Sequence, residues 1–292
     1  MKIPKRLQPL VEEGLVDAVI RQLMSGKEAT VYVVRCGDEI RCAKVYKEAS
    51  QRSFRQAASY QGGRKVRNSR QARAMEKGSR YGRKMQEEVW QNAEVDALYR
   101  LAAAGVRVPR PYICFEGVLL MDLVTDAGGH VAPRLNDTEL TEELALTYHA
   151  FLLRQVVLML CAGVIHGDLS EYNILVDADG PVIIDLPQAI DAAGNMQAEA
   201  MLARDVDNLR TFFSQFAPQL ATTQYGKEIW ALFSAGLLTP ETVLTGHVAA
   251  DDTPVDVGAV MREITLVRKE EEERLRRLQE MRESPPTPWA HR

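Results

Sequence analysis

The feature that most constrains this chain is the run HGDLSEYN at residues 166–173, which lies between apolar segments. The next stretch, NILVDADGPVIID at residues 173–185, predicts a β-hairpin around the turn ADG. Because the two strands of such a hairpin pair antiparallel, Asn173 and Asp185 are expected at the same end of it. One metal ion could therefore contact both side chains.

The residue types in this stretch suit phosphoryl transfer. Phosphoryl transfer requires one carboxylate that orients the acceptor and takes its proton. It also requires oxygen ligands that hold Mg²⁺ on a triphosphate. Asp168 is a candidate for the first role, and Asn173 and Asp185 for the second. Each residue alone is as well explained as a turn or cap residue. The three together, at this spacing, favour the catalytic interpretation.

Composition narrows the class of protein. The 292 residues are 46% hydrophobic, enough for one large domain or two lobes. The net charge of −4 does not suggest that the whole molecule binds nucleic acid, and no DNA partner is expected. The four cysteines are scattered, which argues against a zinc site or a disulfide framework. No secretory signal or membrane span is predicted, so we expect a cytoplasmic protein without a membrane partner.

The pattern of elements predicts an α+β architecture with a small β-rich N-terminal lobe and a mainly helical C-terminal lobe. The predicted elements are the loop MSGKEA before a β-hairpin at residues 30–46, an amphipathic helix at 85–104, two strands within 106–124, a long helix capped by Asp137 or Thr138 and ending near Gly163, and further helix within 198–238. We place the N-lobe at residues 1–122, the C-lobe at 123–262, and a charged helix with a Pro-rich tail at 263–292.

The motifs HGDLSEYN and IIDLPQ resemble the catalytic loop and metal-binding motif of protein-kinase-like folds, and specifically those of the RIO family of atypical protein kinases. In the general kinase pattern a lysine follows the catalytic aspartate by two positions. Here that position is Ser170, as in RIO kinases, so Ser170 joins Asp168, Asp185 and Lys44 among the expected catalytic residues. The resemblance covers roughly residues 20–215 and implies a two-lobed kinase fold.

A kinase site also needs a strand lysine that grips phosphates and a helix glutamate that fixes it. Lys44 alternates with Ile40, Cys42 and Tyr46 on one strand face, and CAKV resembles the corresponding kinase segment. A buried lysine requires an acidic partner. Glu87, Glu88 and Asp96 are rivals on the same helix, but the family pattern W-x-x-x-E selects Glu94.

The resemblance also implies a nucleotide-binding set. The phosphate loop SGKEA keeps only Gly26 of the three glycines of ordinary kinases, and its backbone N–H groups, the Ser25 hydroxyl and Lys27 are expected to contact phosphate. The hinge is expected at residues 122–124, including Leu123. The remaining family positions line an apolar adenine slot, although each is as well explained as ordinary core: Val31, Ala43, Met121 and Leu175.

Only twenty residues separate Asp185 from Asp205, too few for the activation segment and peptide-docking helices of an ordinary protein kinase. RIO kinases likewise lack these elements. The resemblance implies autophosphorylation, an aspartyl-phosphate at Asp185, and an ATPase that switches binding to ribosome precursors, with Mg²⁺ or Mn²⁺ as the metal. Asp205, expected at a helix start, is predicted to tie down the catalytic loop, and the alternative is an ordinary N-cap.

Residues 47–84 contain twelve Lys or Arg and two acidic residues. Three interpretations are open: a solvated flexible loop, a nucleotide lid that carries autophosphorylation sites, and an RNA-contacting segment. The candidate phosphoacceptors are Ser50, Ser53, Ser59, Ser69 and Ser79.

The sequence is compatible with three functions. The first is a RIO-like serine/threonine kinase or ATPase that uses Mg-ATP. The second is a small-molecule phosphotransferase of the aminoglycoside or choline kinase kind, whose catalytic loop also contains H-G-D-L. The third is a ribosome-associated binding protein whose ATP site acts as a switch.

Overall fold

The computed structural model describes residues 3–26, 28–47 and 94–247. The chain divides into a compact unit, Met1–Val248, and a second unit, Ala249–Arg292. The predicted tail at residues 263–292 and all but Lys47 of the predicted basic loop lie outside the described residues. The boundaries predicted at residues 122 and 262 stay predictions.

The N-terminal part of the first unit is an antiparallel sheet. The short helix α1 (Gln8–Glu12) precedes the strands β1 (Ala18–Ser25), β2 (Ala29–Cys36) and β3 (Glu39–Tyr46). Residues 94–103 are helical and are named α2. The strands β4 (Pro111–Phe115) and β5 (Val118–Asp122) follow α2. The strand order in the sheet is β1-β2-β3-β5-β4. The predicted hairpin of β2 and β3 is confirmed, as are the two strands after α2.

The register of this sheet fixes which side chains share a face. Lys44 pairs with Val31 on β2 and with Leu119 on β5, so these three residues point to one side. Ala43 pairs with Tyr32 and Leu120 and points to the other side. That second face is covered by α1 and forms its own apolar cluster. The Lys44 face is left to meet α2 and the C-terminal part.

The C-terminal part of the unit is mainly helical. Its elements are α3 (Glu142–Cys161), β6 (Val164–Ile165), β7 (Ile174–Asp177), β8 (Gly180–Ile183), β9 (Ile190–Asp191), α4 (Ala198–Phe213) and α5 (Tyr225–Ser234). The larger apolar core runs through α2, α3, α4 and α5 and includes fully buried Leu101, Leu152, Leu209 and Phe213. The predicted α+β architecture, with its sheet first and its helices after, is confirmed.

The start of α3 differs from the prediction. The cap is Thr141, whose hydroxyl accepts a hydrogen bond from the N–H of Leu144 at 3.2 Å. Asp137 ends a short 3₁₀ turn instead, and the Thr138 hydroxyl donates to the carbonyl of Arg134 at 3.0 Å. Several candidate cap residues follow one another here, and the structure uses Asp137 and Thr138 in the preceding turn rather than at the helix start. The predicted end near Gly163 is confirmed.

Among the described residues, one helix, Glu142–Cys161, is long and apolar enough to cross a membrane by length and composition. Its apolar side chains have a place in the fold, since Leu152, Val157 and Leu160 are buried in the core. The helix also buries the polar side chains of His149 and Gln155. This burial is typical of a central core helix. The expected absence of a membrane partner stays a prediction.

Candidate active site

Lys44 lies at the centre of the candidate site, on the β3 face that meets the C-terminal part. Its Nζ is 2.6 Å from Oε1 of Glu94 and 2.8 Å from Oδ1 of Asp185. Burial by itself would lower the pKa of Lys44, but the charges of Glu94 and Asp185 raise the pKa above its ordinary value. The lysine is therefore a fixed cation that links the sheet, α2 and the end of the β7–β8 hairpin.

The acidic partner of Lys44 is the one that the family pattern selects. Glu94 is only 4% exposed and faces the sheet from α2. Asp96, two positions further, is exposed because it lies on the opposite side of that helix. Glu87 and Glu88 lie outside the described residues. The ion pair between Lys44 and Glu94 is present as expected, whereas its role in nucleotide binding stays a prediction.

The expected place of Ala43 in the adenine slot is wrong. Ala43 is fully buried on the opposite face of the sheet, in the cluster that contains Leu7 and Leu10 of the α1 region. Successive strand residues point to opposite faces, so a neighbour of Lys44 cannot line the same cleft. Cys42 can, because it stands two residues before Lys44 and pairs with Met121. Burial raises the pKa of the Cys42 thiol to about 12, which leaves a neutral, apolar wall.

The positions of the other residues predicted for the adenine slot are compatible with a shared apolar surface. Val31 pairs with Lys44, and Met121 pairs with Cys42, so both share the Lys44 face. Leu175 belongs to β7 in the C-terminal part, and Leu123 directly follows β5. Val31, Met121, Leu123 and Leu175 are all half-buried. Partly exposed apolar side chains from both lobes are what a planar base requires.

The phosphate loop is shorter than predicted. β1 continues through Ser25, which pairs with Thr30, and the two hydroxyl oxygens are 3.3 Å apart. The N–H of Gly26 donates to the carbonyl of Ala29 at 2.9 Å, and Lys47 Nζ donates to the Gly26 carbonyl at 2.5 Å. Met24, Ser25 and Ala29 of the expected loop MSGKEA thus belong to strands. The Gly26 N–H is engaged within the turn, and Lys27 lies outside the described residues.

The catalytic loop candidate begins at a buried histidine. His166 is 1% exposed; its Nε2 lies 3.1 Å from the carbonyl oxygen of Ile184, and its Nδ1 accepts the N–H of Asp168 at 3.3 Å. The side chain of Leu169 is fully buried. Between these two buried residues Asp168 is exposed to solvent. Such a position suits a group that must reach a substrate.

A buried carboxylate holds this loop from behind. Oδ2 of Asp205 accepts the N–H of Gly167 at 2.7 Å, and Oδ1 accepts the N–H of Leu169 at 2.9 Å. Burial raises the pKa of Asp205, although these two hydrogen bonds act in the opposite direction. The prediction that Asp205 ties down the loop is confirmed. Its expected position at a helix start is wrong, because Asp205 lies in the middle of α4.

Neighbours on α4 extend this attachment. Asn208 Nδ2 donates to the carbonyl of Leu169 at 2.9 Å, and Arg204 Nη2 donates to the carbonyl of Gly167. Gly167 itself has φ +80, and a Cβ there would lie 2.7 Å from the carbonyl oxygen of Gln188. The glycine is therefore required both by its backbone conformation and by space. The run ARDVDN contained these residues, but nothing local in the sequence told Arg204 and Asn208 from surface residues.

Asn173 and Asp185 lie at one end of the β7–β8 hairpin, as predicted. The N–H of Ile184 donates to the carbonyl of Asn173 at 2.9 Å, which continues the ladder to that end. Asn173 Nδ2 donates to the carbonyl of Asp168 at 2.8 Å, so its amide oxygen faces away from that bond. The carbonyl of Ser170 accepts the N–H of Asn173 at 2.9 Å, which shapes the turn between them.

Asp185 has an unusual backbone. Its φ is +65, in the left-handed region that aspartate tolerates better than most residues. Desolvation opposes the charge of Asp185, but the ion pair with Lys44 lowers the pKa of its carboxyl below the ordinary value. One oxygen of an ionised Asp185 and the Asn173 amide oxygen are hard ligands that fit Mg²⁺ or Mn²⁺. Within the described ranges no group of three or more His, Cys, Asp or Glu side chains suits a metal ion.

A buried lysine fixed by a helix glutamate, together with an exposed aspartate on a loop that a second helix holds, defines the protein-kinase-like class of folds. Comparison with known families then specifies the group. The model of the RIO domain matches residues 30–225. The chain belongs to the RIO family.

Curated relatives agree with this assignment. The chain is 33% identical over 209 residues to the RIO-type serine/threonine-protein kinase Rio1 of Haloferax volcanii, a match that covers 70% of this chain and 66% of that protein. It is 30% identical over 213 residues to the serine/threonine-protein kinase rio1 of Schizosaccharomyces pombe, covering 71% of this chain and 40% of that protein. With Rio1 of Methanocaldococcus jannaschii the identity is 32% over 191 residues, or 65% and 60% of the two chains.

The chain thus spans between two fifths and two thirds of the length of these relatives. A kinase family implies ATP and a divalent metal ion in general terms. The matches do not favour a small-molecule phosphotransferase of the aminoglycoside or choline kinase kind, nor a binding protein without kinase activity.

Proposed function

We propose that this protein is an ATP-dependent, RIO-type serine/threonine protein kinase that phosphorylates itself, acts as an ATPase switch, or does both, with Mg²⁺ or Mn²⁺ as its metal ion. The observation that carries the proposal is that the Lys44 side chain pairs with two carboxylates, one from each part of the unit. One cation is held 2.6 Å from Glu94 of α2 and 2.8 Å from Asp185 at the hairpin end. This arrangement supports a cleft in which both lobes contact one triphosphate.

In this function Lys44 donates to nucleotide phosphates, and Glu94 keeps its side chain in place. The adenine lies between Val31, Cys42 and Met121 from the sheet and Leu175 from β7, with the backbone around Leu123 as its hydrogen-bonding edge. Ser25, Gly26 and Lys27 are the proposed phosphate-loop residues. Because the Gly26 N–H donates to Ala29 in the structure described, phosphate binding there requires the turn to rearrange.

Asp168 is the proposed catalytic carboxylate. It is exposed, while its backbone is fixed on one side by His166 and on the other by the Asn173 side chain. A carboxylate in this position can accept a hydrogen bond from an acceptor hydroxyl and take its proton during transfer. Ser170 shapes the same loop through its carbonyl bond to Asn173.

Asn173 and Asp185 are the proposed metal ligands, since their oxygens come from one end of one hairpin. A bound Mg²⁺ supplies positive charge that offsets the triphosphate. Asp185 also bonds to Lys44, so it holds the lysine and the metal site in a fixed relation to each other.

The acceptor is proposed to lie within the protein itself. The segment from Asp185 to α4 contains only β9 and short turns, which leaves little surface for a peptide. Serines in the basic segment are therefore proposed phosphoacceptors, and Asp185 is proposed as a transient one. Those serines, Ser50, Ser53, Ser59, Ser69 and Ser79, lie outside the described residues.

Cytoplasmic localisation and an association with ribosomal particles or RNA complete the proposal. They rest on the composition and on the family resemblance. Salt-sensitive binding of RNA through the basic residues 47–84 is the expected form of such a contact.

Incubation with Mg-ATP followed by mass spectrometry tests the function. We expect phosphoserine within residues 47–84 and no phosphorylation in the Lys44→Met variant. An aspartyl-phosphate at Asp185 would be labile to hydroxylamine and absent from Asp185→Asn. A wild-type protein that neither binds nor turns over ATP would refute the proposal.

A further inference from the structure

Arg134 has a position that none of the roles above explains. It stands just before the 3₁₀ turn Leu135–Asp137, and its backbone forms a bridge with Leu175 of β7. Its carbonyl accepts the N–H of Asp137 at 2.9 Å and the Thr138 hydroxyl at 3.0 Å. The main chain of Arg134 is thus fixed beside β7, the strand that directly follows Asn173.

The side chain of Arg134 crosses to the other lobe. Its Nη2 donates to the sulfur of Met24 at 3.2 Å, near the end of β1 and two residues before Gly26. A thioether is a weak acceptor, and a guanidinium carries five N–H donors. Arg134 is half-buried and forms no ion pair with any carboxylate in the part of the chain that the structure describes. Its strong donors therefore remain available for an anion.

The formal charges of the site suggest why a cation is useful at the position of Arg134. Lys44 is already matched by two carboxylates, those of Glu94 and Asp185, so the three groups together carry one negative charge. Such a cluster does not attract a triphosphate by itself. Arg134 brings the sum of the formal charges of these four side chains to zero. A guanidinium also matches phosphate oxygens in a bidentate geometry that a lysine does not provide.

We propose that Arg134 binds the phosphates of the nucleotide as a second cation beside Lys44, reaching them between the end of β1 and Asp185. The contact with Met24 is then the resting position of the side chain. This inference rests on the proposed ATP-dependent function and extends it to a residue outside the catalytic-loop, metal-binding and phosphate-loop motifs.

The test is equilibrium binding of Mg-ATP and of adenosine to the full chain and four variants. Arg134→Gln is expected to weaken ATP binding by about tenfold or more, since a charge-assisted contact is lost. Adenosine binding is expected to change less than about twofold, because adenosine has no phosphate. Arg134→Lys should fall between wild type and Arg134→Gln. Arg35→Gln removes an exposed arginine of β2 and serves as the charge-matched control.

The Met24→Leu variant distinguishes two roles of Arg134. One is binding of phosphate, and the other is only to connect the two lobes through its contact with Met24. The substitution removes the sulfur and keeps the volume, so ATP affinity should stay near that of wild type. Equal loss of ATP and adenosine affinity in Arg134→Gln, or a tenfold loss in Met24→Leu, would overturn the inference. So would an Arg134→Gln variant that binds ATP as tightly as wild type. If wild type itself fails to bind ATP, the proposed function fails first.

Discussion

Lys44 and Glu94, which are fifty residues apart in the sequence, form a 2.6 Å ion pair in which both side chains are buried. Replacing Lys44 with Met leaves the Glu94 carboxylate buried without its cation. We expect the free energy of unfolding to fall by about 3–5 kcal/mol, measured by urea denaturation.

The double variant Lys44→Met with Glu94→Gln supplies the control for that change. Removing both charges should restore much of the lost stability, because no uncompensated charge remains. Phosphorylation should be absent from both variants. If the double variant is no more stable than Lys44→Met, the buried ion pair is not the cause of the destabilisation.

Asp168→Asn should separate catalysis from binding. We expect the rate of autophosphorylation to fall by about 100-fold or more, since a general base is lost. Within residues 3–26, 28–47 and 94–247 the exposed Asp168 side chain forms no hydrogen bond or ion pair that the change would remove, so the free energy of unfolding should change by less than about 0.5 kcal/mol. Nucleotide affinity should be kept.

Asp38→Asn, at an exposed turn of the N-terminal sheet, is the matched control for the loss of one charge. It should leave the rate of autophosphorylation unchanged. A comparable loss of rate in the two variants would remove Asp168 from the catalytic role.

Gly167→Ala should disturb the loop that Asp205 holds. The new Cβ would meet the Gln188 carbonyl oxygen at 2.7 Å in addition to the cost of φ +80. Gly105→Ala is the matched control, because Gly105 has φ +76 and nothing within 4 Å of the added atom. The control should lose about 1–2 kcal/mol from backbone strain alone. A larger loss of stability, together with loss of activity, is expected only for Gly167→Ala.

His149 should make stability depend on pH. It is 2% exposed, with ring centroids 5.5 Å from Phe213 and 5.6 Å from Tyr225, and desolvation lowers its pKa to about 4 from 6.5. Between these values the unfolded chain binds the proton and the folded chain does not. The free energy of unfolding should therefore fall by about 3 kcal/mol as the pH falls from 6.5 to 4.

His149→Leu should flatten this part of the stability profile in urea denaturation at a series of pH values. His130→Gln removes an exposed histidine and should leave the profile as in wild type. An unchanged slope in His149→Leu would mean that other groups cause the pH dependence.

The sequence predicted those parts of the site that short-range rules govern. The alternation of β3 placed Lys44, the turn ADG placed Asn173 beside Asp185, and the family pattern selected Glu94 over Asp96. The same alternation, applied to Ala43, would have excluded it and named Cys42. That error came from matching a motif without following the strand period.

Other parts depended on contacts between distant segments. Thr141 rather than Thr138 caps α3, and the Thr138 hydroxyl donates instead to the carbonyl of Arg134, a contact that local propensity does not report. Asp205 lies in mid-helix, where a carboxylate usually faces solvent, and its burial is compensated by the N–H groups of Gly167 and Leu169, which come from a distant segment. Arg134 lies in the segment VAPRL at residues 131–135, but the place of its guanidinium depends on Met24, which is 110 residues away in the sequence.

The β7–β8 hairpin makes the two candidate metal ligands depend on a turn at its far end. The pairing of Asp177 with Gly180 sets the register that brings Asn173 level with Ile184, next to Asp185. Inserting one residue at that surface turn would shift every pair and move one ligand to the opposite face of the ladder. The length of the turn at residues 177–180 thus determines the relative position of Asn173 and Asp185. Although the turn lies at the surface, insertions or deletions in it are expected to disturb the active site.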